Sequence, residues 1–317
     1  MSTHHQPAID TFFQQQLGNW VMAREHYNDL RQVRQKSFAF DGYNIEAQYN
    51  PRRMISSSAR VDEKSIRERP CFLCRQNRPA EQLELPFEED YLILLNPYPV
   101  FEKHFTIPSV GHQPQEIRER FGVMLNLAAY MQDFALIYNG PRCGASAPDH
   151  FHFQAVEKKE LPMVRDFNAM RNTRLLAVAR GVKVFGWNDY LRYPVTFTGA
   201  NRNDLERFFD RLYLVLQREM NTLEEPMMNV LTCHTGEDWV VHVFLREKHR
   251  PSQYFESAGK QILLSPASID MSGVLIMPRE NDFNKITIND IKDIYSQVVA
   301  DSDRVNRIIS QLINQDL

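Results

Sequence analysis

The first half of the chain mixes helical and extended patterns of apolar residues. Apolar side chains recur at helical spacing over residues 9–36, which predicts an amphipathic helix. Residues 37–49 then alternate around Asp41-Gly42, a dipeptide typical of a β-hairpin. A polar, irregular stretch follows at 50–70. Further along, the patterns predict strands at 91–95, 104–108, 134–138 and 150–156 and a helix over 114–132.

The second half has the pattern of a weaker copy of the first. It predicts a helix at 201–220 and strands at 226–233, 238–246, 261–265 and 273–278. The run from Trp239 to Pro251 is similar to the run from His104 to His112, because each carries histidines and basic residues at comparable spacing. Helices beside mostly antiparallel strands indicate an α+β fold. We expect two related lobes, residues 1–160 and 161–317, although the absence of a Gly/Ser linker also allows one fused domain.

Composition narrows the class of protein. A chain of 317 residues with a net charge of −3 can bury a large core and has no general attraction for nucleic acid. No apolar run approaches the roughly 20 residues that span a bilayer, and the N-terminus lacks a signal-peptide pattern. Four cysteines do not make a disulfide framework in a chain of this length. We therefore expect a cytoplasmic protein without a membrane or nucleic-acid partner.

The strongest chemical signal is the run His150-Phe-His152-Phe-Gln154. In a strand alternate side chains share a face, so two imidazoles and an amide point one way. The small-residue turn Gly144-Ala145-Ser146 precedes them, and backbone N–H groups of such a turn can point at anionic oxygens. A neutral imidazole can attack phosphorus. The run predicts a phosphate-handling site; the alternative is a buried strand whose histidines only satisfy hydrogen bonds.

This Gly-Ala-Ser turn followed by His-x-His-x-Gln resembles the transferase branch of the histidine-triad superfamily. The branch includes galactose-1-phosphate uridylyltransferase, diadenosine tetraphosphate phosphorylase and the plant-type GDP-L-galactose phosphorylase, and its hydrolase relatives carry a third His where Gln154 stands. The resemblance implies two histidine-triad-like lobes, of which only the first is catalytic. One departure is the insertion Ala147-Pro148-Asp149, which is one residue longer than in those relatives.

The resemblance assigns roles around the motif. His152 is the nucleophile that attacks the α-phosphorus and forms a covalent nucleotidyl-histidine. Gln154 holds a phosphate oxygen without supplying a proton, which fits an acceptor other than water. Asn139, which opens the turn, is expected to hydrogen-bond the phosphate or to orient His152. Gly144, Ala145 and Ser146 form the phosphate turn.

Three further residues are candidates for nucleotide or phosphate binding. Asn96 matches a residue that meets the nucleoside in the relatives, and its alternative role is that of a turn former beside Pro97. His104 is expected to approach the phosphate from a neighbouring strand, and its alternative is a satisfied buried histidine. Arg142 offers a bidentate grip on phosphate, and its alternative is a solvated loop arginine.

The pair Cys71-x-x-Cys74 supplies half of a tetrahedral zinc site. In galactose-1-phosphate uridylyltransferases such a pair is completed by two histidines, and the matching positions here are His112 and His150. The resemblance thus implies a structural zinc, and the alternative is two buried reduced cysteines.

The sequence therefore predicts an enzyme, a nucleotidyltransferase. We expect phosphorolysis of a nucleoside-diphosphate sugar or a dinucleoside polyphosphate, since the segment from Asn96 to His112 and the stretch from Leu263 to Arg279 resemble phosphorylases. The partners would be a nucleotide or nucleotide sugar together with phosphate or a sugar phosphate, and the resemblance suggests a homodimer. The alternatives are a hexose-1-phosphate nucleotidylyltransferase and a non-catalytic nucleotide-binding protein; Gln154 disfavours a hydrolase.

Overall fold

A computed structural model describes residues 6–54, 63–257 and 259–314. In these ranges the helices are α1 (Gln6–Asn19), α2 (Val21–Asp29), α3 (Glu63–Glu68), α4 (Phe121–Tyr130), α5 (Pro162–Asn168), α6 (Arg202–Glu219), α7 (Ser268–Met271), α8 (Glu280–Lys285), α9 (Ile288–Val298) and α10 (Ser302–Asn314). The first-half strands are β1 (Arg34–Ala39), β2 (Asn44–Tyr49), β3 (Leu85–Phe87), β4 (Tyr91–Leu95), β5 (His104–Pro108), β6 (Phe134–Asn139) and β7 (His152–Glu157). The second-half strands are β8 (Thr173–Ala179), β9 (Val182–Trp187), β10 (Pro194–Gly199), β11 (Met228–His234), β12 (Trp239–Leu245) and β13 (Val274–Met277).

Ten of the described strands form one antiparallel sheet in the order β3-β4-β5-β7-β6-β11-β12-β10-β9-β8. Each half of this order repeats the other: three strands, a helix and a central hairpin occur in the same chain order, with α4 before β6 and α6 before β11. The halves meet where β6 pairs with β11. The predicted α+β fold with two related lobes is confirmed, and the predicted division at residues 160/161 falls between β7 and β8.

The large sheet separates two apolar cores. One core lies under α1, α2, α4, α6 and α10, which pack on the sheet face that carries Phe153 and Tyr138. The second core lies on the opposite face, under the C-terminal helices and a small sheet in which β13 pairs in parallel with β2 of the β1–β2 hairpin. The even-numbered residues of β7 point to this second face, so the chemistry of the motif lies between the large sheet and the C-terminal elements.

Several predicted elements differ from the observed ones. The helix predicted at 9–36 is two helices, because Trp20 adopts an extended conformation (φ −116°, ψ 97°) after the poor helix former Gly18, and β1 already begins at Arg34. The helix predicted to begin at residue 114 begins at Phe121. The preceding residues bond elsewhere: the backbone N–H of Ile117 donates to the Glu225 carboxylate (2.6 Å).

The strand predicted at 261–265 is also wrong. Its N–H groups donate outside any sheet: Ile262 to the carbonyl of Gln253 (2.9 Å) and Leu263 to the carboxylate of Asp282 (2.8 Å). Of the polar stretch at 50–70, residues 55–62 lie outside the described residues, as do residues 1–5 of the N-terminus. Within the described ranges, no helix has both the length and the apolar character needed to cross a membrane.

Candidate functional site

The imidazole of His152 is fixed at the start of β7. Its Nδ1 lies 2.8 Å from the carbonyl oxygen of His150, so Nδ1–H donates there and the ring's lone pair resides on Nε2. The side chain is 4% exposed, and burial lowers the pKa of His152 to about 4. The ring is therefore neutral at physiological pH and has a free lone pair, which is the state that a nitrogen nucleophile requires.

Gln154 lies on the same face of β7 and is held by His104 of β5. The backbone N–H of Val100 donates to His104 Nδ1 (3.3 Å), which places the ring proton on Nε2. That Nε2–H donates to Gln154 Oε1 (2.8 Å), so the amide NH2 of Gln154 remains as a donor. Burial and the nearby Arg53 together lower the pKa of His104 to about 3, so His104 orients the glutamine as a neutral donor.

The sequence predicted that His150 shares the strand face with His152, and this is wrong. The strand begins only at His152, and His150 closes a turn in which its N–H donates to the carbonyl of Ala147 (3.2 Å). The insertion before His150 is accommodated by that turn: the carbonyl of Pro148 accepts from the Gln115 N–H (3.1 Å), and Asp149 pairs with Arg69 (2.7 Å). His150 is thereby directed to the cysteine pair.

Cys71, Cys74, His112 and His150 form a compact cluster whose ligand atoms all lie within 4.8 Å of one another. His150 Nδ1 is 3.3 Å from Cys71 Sγ, and His112 Nδ1 is 3.2 Å from Cys74 Sγ. A tetrahedral metal with zinc-like bond lengths separates sulfur from nitrogen by about 3.5 Å. His150 Nε2–H donates to the carbonyl of Ser109 (2.8 Å), which leaves Nδ1 as the ligand atom. These four residues could hold a metal ion.

Asn139 lies at the end of β6, where the two halves of the sheet meet. Its Oδ1 accepts from Asn229 Nδ2 (2.9 Å) and from the backbone N–H and the hydroxyl of Ser268 (2.9 and 2.7 Å). Asn229 also donates to the carbonyl of Cys143 (2.8 Å), immediately before the small-residue turn. Asn139 thus joins the first lobe to the second, Asn229 joins the turn to both, and Asn139 also lines the polar cavity described below.

The Gly144-Ala145-Ser146 turn packs closely on the C-terminal half. Gly144 has φ +99°, and a Cβ at this position would lie 2.6 Å from the Cβ of Ala267. Only glycine combines this backbone conformation with this close approach. The turn therefore needs Gly144 to reach the inter-lobe position that it occupies.

Two cavities meet beside the motif. The large cavity, about 740 Å³, has aromatic and amide walls that include Trp20, Phe72, Tyr98 and Asn96, and His152 lies in its lining. The polar cavity, about 70 Å³, is lined by the turn, by Asn139 and by residues of the second half. Arg53, Ser146 and Gln154 line both cavities, so these three residues stand at the junction of the two.

The second-half lining of the polar cavity contains charged groups. Arg250 Nε donates to the Ser265 hydroxyl (3.0 Å) while its guanidinium lies over the Tyr254 ring at 4.2 Å. Asp270 accepts from the backbone N–H groups of Ala267 and Ile276, and burial raises its pKa to about 6. The cavity therefore offers both a cation and a carboxylate to a ligand.

Of the two remaining predicted residues, Asn96 lines a cavity and Arg142 does not. Asn96 Nδ2 donates to the Thr106 hydroxyl (3.0 Å) and its Oδ1 accepts from the Tyr98 N–H (2.9 Å), so it forms a turn and lines the large cavity as well. Arg142 instead faces Glu224 at 3.3 Å and lies outside the described lining of both cavities. Sequence reasoning gave no role to Arg53, which no local motif marks, or to Asp270, which lies in the phosphorylase-like stretch from Leu263 to Arg279.

The second lobe contains an equivalent of the site. The sheet register crosses both halves in the order Thr106, Gln154, Ile137, Leu231, His242 and Thr196. His242 of β12 is thus the counterpart of Gln154. The expected match of the run 239–251 to 104–112 is wrong, since β12 corresponds to β7 rather than to β5.

Two residues before His242, Val240 stands where the first lobe has His152. His242 Nδ1 instead bonds the Thr196 hydroxyl (2.9 Å), which also accepts from Trp187 Nε1 (2.8 Å), and Phe167 packs on the imidazole at 5.2 Å. Burial lowers the pKa of His242 to about 3. The second-lobe position is therefore part of the packed core and carries no nucleophile among the described residues.

Comparisons with known proteins cover both halves. Residues 12–157 match the family model "Domain of unknown function (DUF4922)" and residues 167–316 match "GDPGP1-like, C-terminal domain". The crystal structure of yeast Ap4A phosphorylase Apa2 is 14% identical, covers 88% of this chain and 93% of its own, and has a TM-score of 0.51. The crystal structure of the same yeast enzyme in complex with Ap4A is 13% identical, covers 88% of this chain and 96% of its own, and has a TM-score of 0.49.

A DUF4931 family protein from Bacillus cereus ATCC 10987 is 13% identical, covers 50% of this chain and 83% of its own, and has a TM-score of 0.36. The curated proteins give no match. Residues 167–316 are thus similar to a GDPGP1-like C-terminal domain, and the chain as a whole shares the fold of the yeast enzyme. The predicted likeness to the transferase branch of the histidine-triad superfamily is confirmed.

Proposed function

We propose that this chain is a nucleotidyltransferase of the phosphorylase type that works through a covalent nucleotidyl-histidine on His152. The observation that carries the proposal is the state of that imidazole. It is neutral because of burial, its Nδ1–H is held by the His150 carbonyl, and it lines a cavity large enough for a nucleoside. The donor is a nucleoside-diphosphate sugar or a dinucleoside polyphosphate.

The reaction has two balanced steps. His152 Nε2 attacks the α-phosphorus of the donor; an N–P bond forms, a P–O bond breaks, and the leaving phosphate ester takes the electron pair. An oxygen of inorganic phosphate then attacks the same phosphorus, and the N–P bond breaks to return the neutral imidazole. Each displacement is easier than a single direct transfer between two anions.

The polar groups beside His152 suit the negative charge on the phosphate that is transferred in these steps. The Gln154 amide, oriented by His104, is a donor for a non-bridging phosphate oxygen. Arg53 remains cationic at physiological pH, although burial lowers its pKa to about 10, and it stands at the junction of the cavities. In this proposal Asn139 and the turn at Gly144, Ala145 and Ser146 cradle the transferring phosphate.

The two cavities suit the two sides of the donor. Trp20, Phe72 and Tyr98 offer apolar and aromatic surface for a base, with Asn96 near the ribose. Arg250 and Asp270 of the polar cavity suit a ligand that carries both phosphate and hydroxyl groups. Arg142 has no part in this scheme, since it faces Glu224.

Phosphorolysis is favoured by the similarity to the GDPGP1-like C-terminal domain and to yeast Ap4A phosphorylase. The second candidate is a hexose-1-phosphate nucleotidylyltransferase of the uridylyltransferase type, which the Cys71/Cys74/His112/His150 cluster favours. A cytoplasmic location and a homodimer stay predictions from the sequence.

We further propose that the cluster holds a structural zinc. Its donor set of two thiolates and two neutral imidazoles is that of closed zinc sites, and all four positions are filled by protein. Because the carbonyl of His150 accepts from His152 Nδ1, an ion bound to His150 would also stabilise the residue that orients the nucleophile.

The test incubates the protein separately with α-labelled ATP, GTP, UDP-glucose and GDP-hexoses. We expect acid-labile label on the wild type and on His242→Ala, which removes a buried strand histidine in the second lobe, but none on His152→Ala. Release of the label by phosphate, by hexose 1-phosphate or by water then separates the candidate reactions. Absence of label from every donor would refute the covalent route.

A further inference from the structure

Gln115 joins the two central strands at the place where they separate around the nucleophile. The ladder between β6 and β7 ends at the pair Ile137–Gln154. Beyond it, Gln115 Nε2 donates to the carbonyls of Asn139 and His152 (both 3.0 Å), and its Oε1 accepts from the His152 N–H (2.8 Å). The side chain is 1% exposed.

These three hydrogen bonds replace the backbone pairing that β6 and β7 no longer make at this point. A side-chain amide has the same donor and acceptor chemistry as a peptide group, so it can bond two strand backbones that are too far apart to bond each other. The segment that carries Gln115 is itself held against the motif: the N–H of Phe151 donates to the carbonyl of Gln113 (2.6 Å), and Gln115 N–H donates to Pro148 (3.1 Å). The opening between the strands is therefore braced rather than loose.

We propose that Gln115 is a positioning residue for the nucleophile, an inference that rests on the proposed function. Gln115 lies outside the described lining of both cavities, so it acts through His152 rather than on a substrate. It fixes the backbone of His152 through both the N–H and the carbonyl, while the His150 carbonyl fixes the ring. Together these contacts hold the ring in one orientation for in-line attack.

The expected size of the effect follows from this geometry. A displacement of about 1 Å in a reacting group costs on the order of 100-fold in rate. Removing the amide allows such a movement without changing any group that the donor nucleotide would touch. We therefore expect a large loss in the rate of nucleotidyl transfer to His152 and little change in donor affinity.

The first experiment measures single-turnover labelling of His152 in Gln115→Met, which keeps the length of the side chain and removes its three bonds. We expect the labelling rate to fall at least ~30-fold while donor Kd changes less than ~3-fold. The matched control is Gln16→Met. Gln16 is also fully buried, and it bonds the backbone of Glu81 and Leu83 instead (2.7 and 2.6 Å). The control should label at close to the wild-type rate.

Gln115→Glu adds a readout that a merely structural role would not move. An ionised carboxylate accepts from the His152 N–H but cannot donate to the two carbonyls, whereas the protonated form donates to one of them. Burial raises the pKa of such a glutamate. The labelling rate of this variant, divided by the wild-type rate at the same pH, should therefore rise as pH falls from 8 to 6.

Amide hydrogen exchange separates failure of this inference from failure of the proposed function. In Gln115→Met the His152 N–H loses its acceptor and should exchange at least tenfold faster, and this is measurable whether or not the protein takes label. A wild type that takes no label refutes the proposed function. It also refutes a role for Gln115 in nucleotidyl transfer, even if amide exchange at His152 changes as expected. A labelled wild type together with wild-type labelling in Gln115→Met, or unchanged exchange at His152, overturns the positioning role of Gln115.

Discussion

Replacing Gln154 by glutamate tests, with the smallest change of shape, whether the amide of Gln154 donates a hydrogen bond to the transferring phosphate. The substitution keeps the side-chain length and keeps an oxygen that can accept from His104 Nε2, a contact of 2.8 Å. It exchanges only the amide NH2 for a second oxygen. The variant therefore removes the donor that we assign to the transferring phosphate and places a negative charge near it.

The magnitude has two parts. Loss of one preorganised donor to the oxygen of a transition state costs roughly 100- to 1,000-fold in rate, or about 3–4 kcal/mol. Two negative charges about 5 Å apart at an effective dielectric constant near 20 repel by a further ~3 kcal/mol. Arg53, at the same junction, offsets part of this repulsion. We expect labelling of His152 to fall by at least ~1,000-fold.

The assay is single-turnover labelling with the donor that labels the wild type best, followed by thermal unfolding of each variant. Gln14→Glu is the control, because Gln14 is exposed on α1 and receives the same change of charge far from the motif. The control should label normally and unfold with the wild type. Labelling of Gln154→Glu within about tenfold of the wild type would contradict the role of the amide, because either part of the estimate exceeds that loss.

Three further outcomes follow from the structure. Cys71→Ser should lose bound zinc in elemental analysis while Cys143→Ser, a buried thiol outside the cluster, keeps it; equal zinc in both would refute the metal site. The labelling rate should stay flat from pH 8 to 5 and fall below about pH 4, since burial lowers the pKa of His152 to about 4 and protonation removes its lone pair; a fall centred on the ordinary value of 6.5 would contradict this state of the ring. Arg246→Leu should lower the free energy of unfolding, measured in urea, by at least ~3 kcal/mol. Buried Arg246 donates to several carbonyls, including that of Lys248 (3.0 Å), and each carbonyl left without a donor costs about 1–3 kcal/mol. A loss below about 1 kcal/mol would show that these carbonyls find other donors.

Local patterns predicted the parts of the fold that depend on local chemistry. Asp41-Gly42 marked the hairpin, and the strands at 91–95 and 104–108 agree with β4 and β5. The strands β8–β10 were missed, and the apolar run at 261–265 was given a strand that it does not form. An apolar run shows that a segment is buried, but only the tertiary structure decides whether its N–H groups meet a strand or a side chain such as Asp282.

The same limit applies to the site. The motif located His152 and Gln154, and the resemblance brought Cys71 and Cys74 together with two histidines, as the structure does. Gln115 could not be found in this way. Its contribution depends on where β6 and β7 separate, and a single sequence contains no local signal for that separation.

The pseudo-symmetry explains why one lobe keeps a site while the other becomes core. In the first lobe the carboxamide of Asn96 donates to Thr106 beside Gln154, and the position opens to a cavity. In the second lobe the indole of Trp187 makes the equivalent bond to Thr196 and, with Phe167, covers His242. A carboxamide makes this bond without filling the space above the strand face, whereas an indole fills it. The same sheet register therefore produces an opening onto the large cavity in one lobe and a packed aromatic core in the other. In the proposed reaction one nucleophile in that opening is enough, because both substrates would use it in turn.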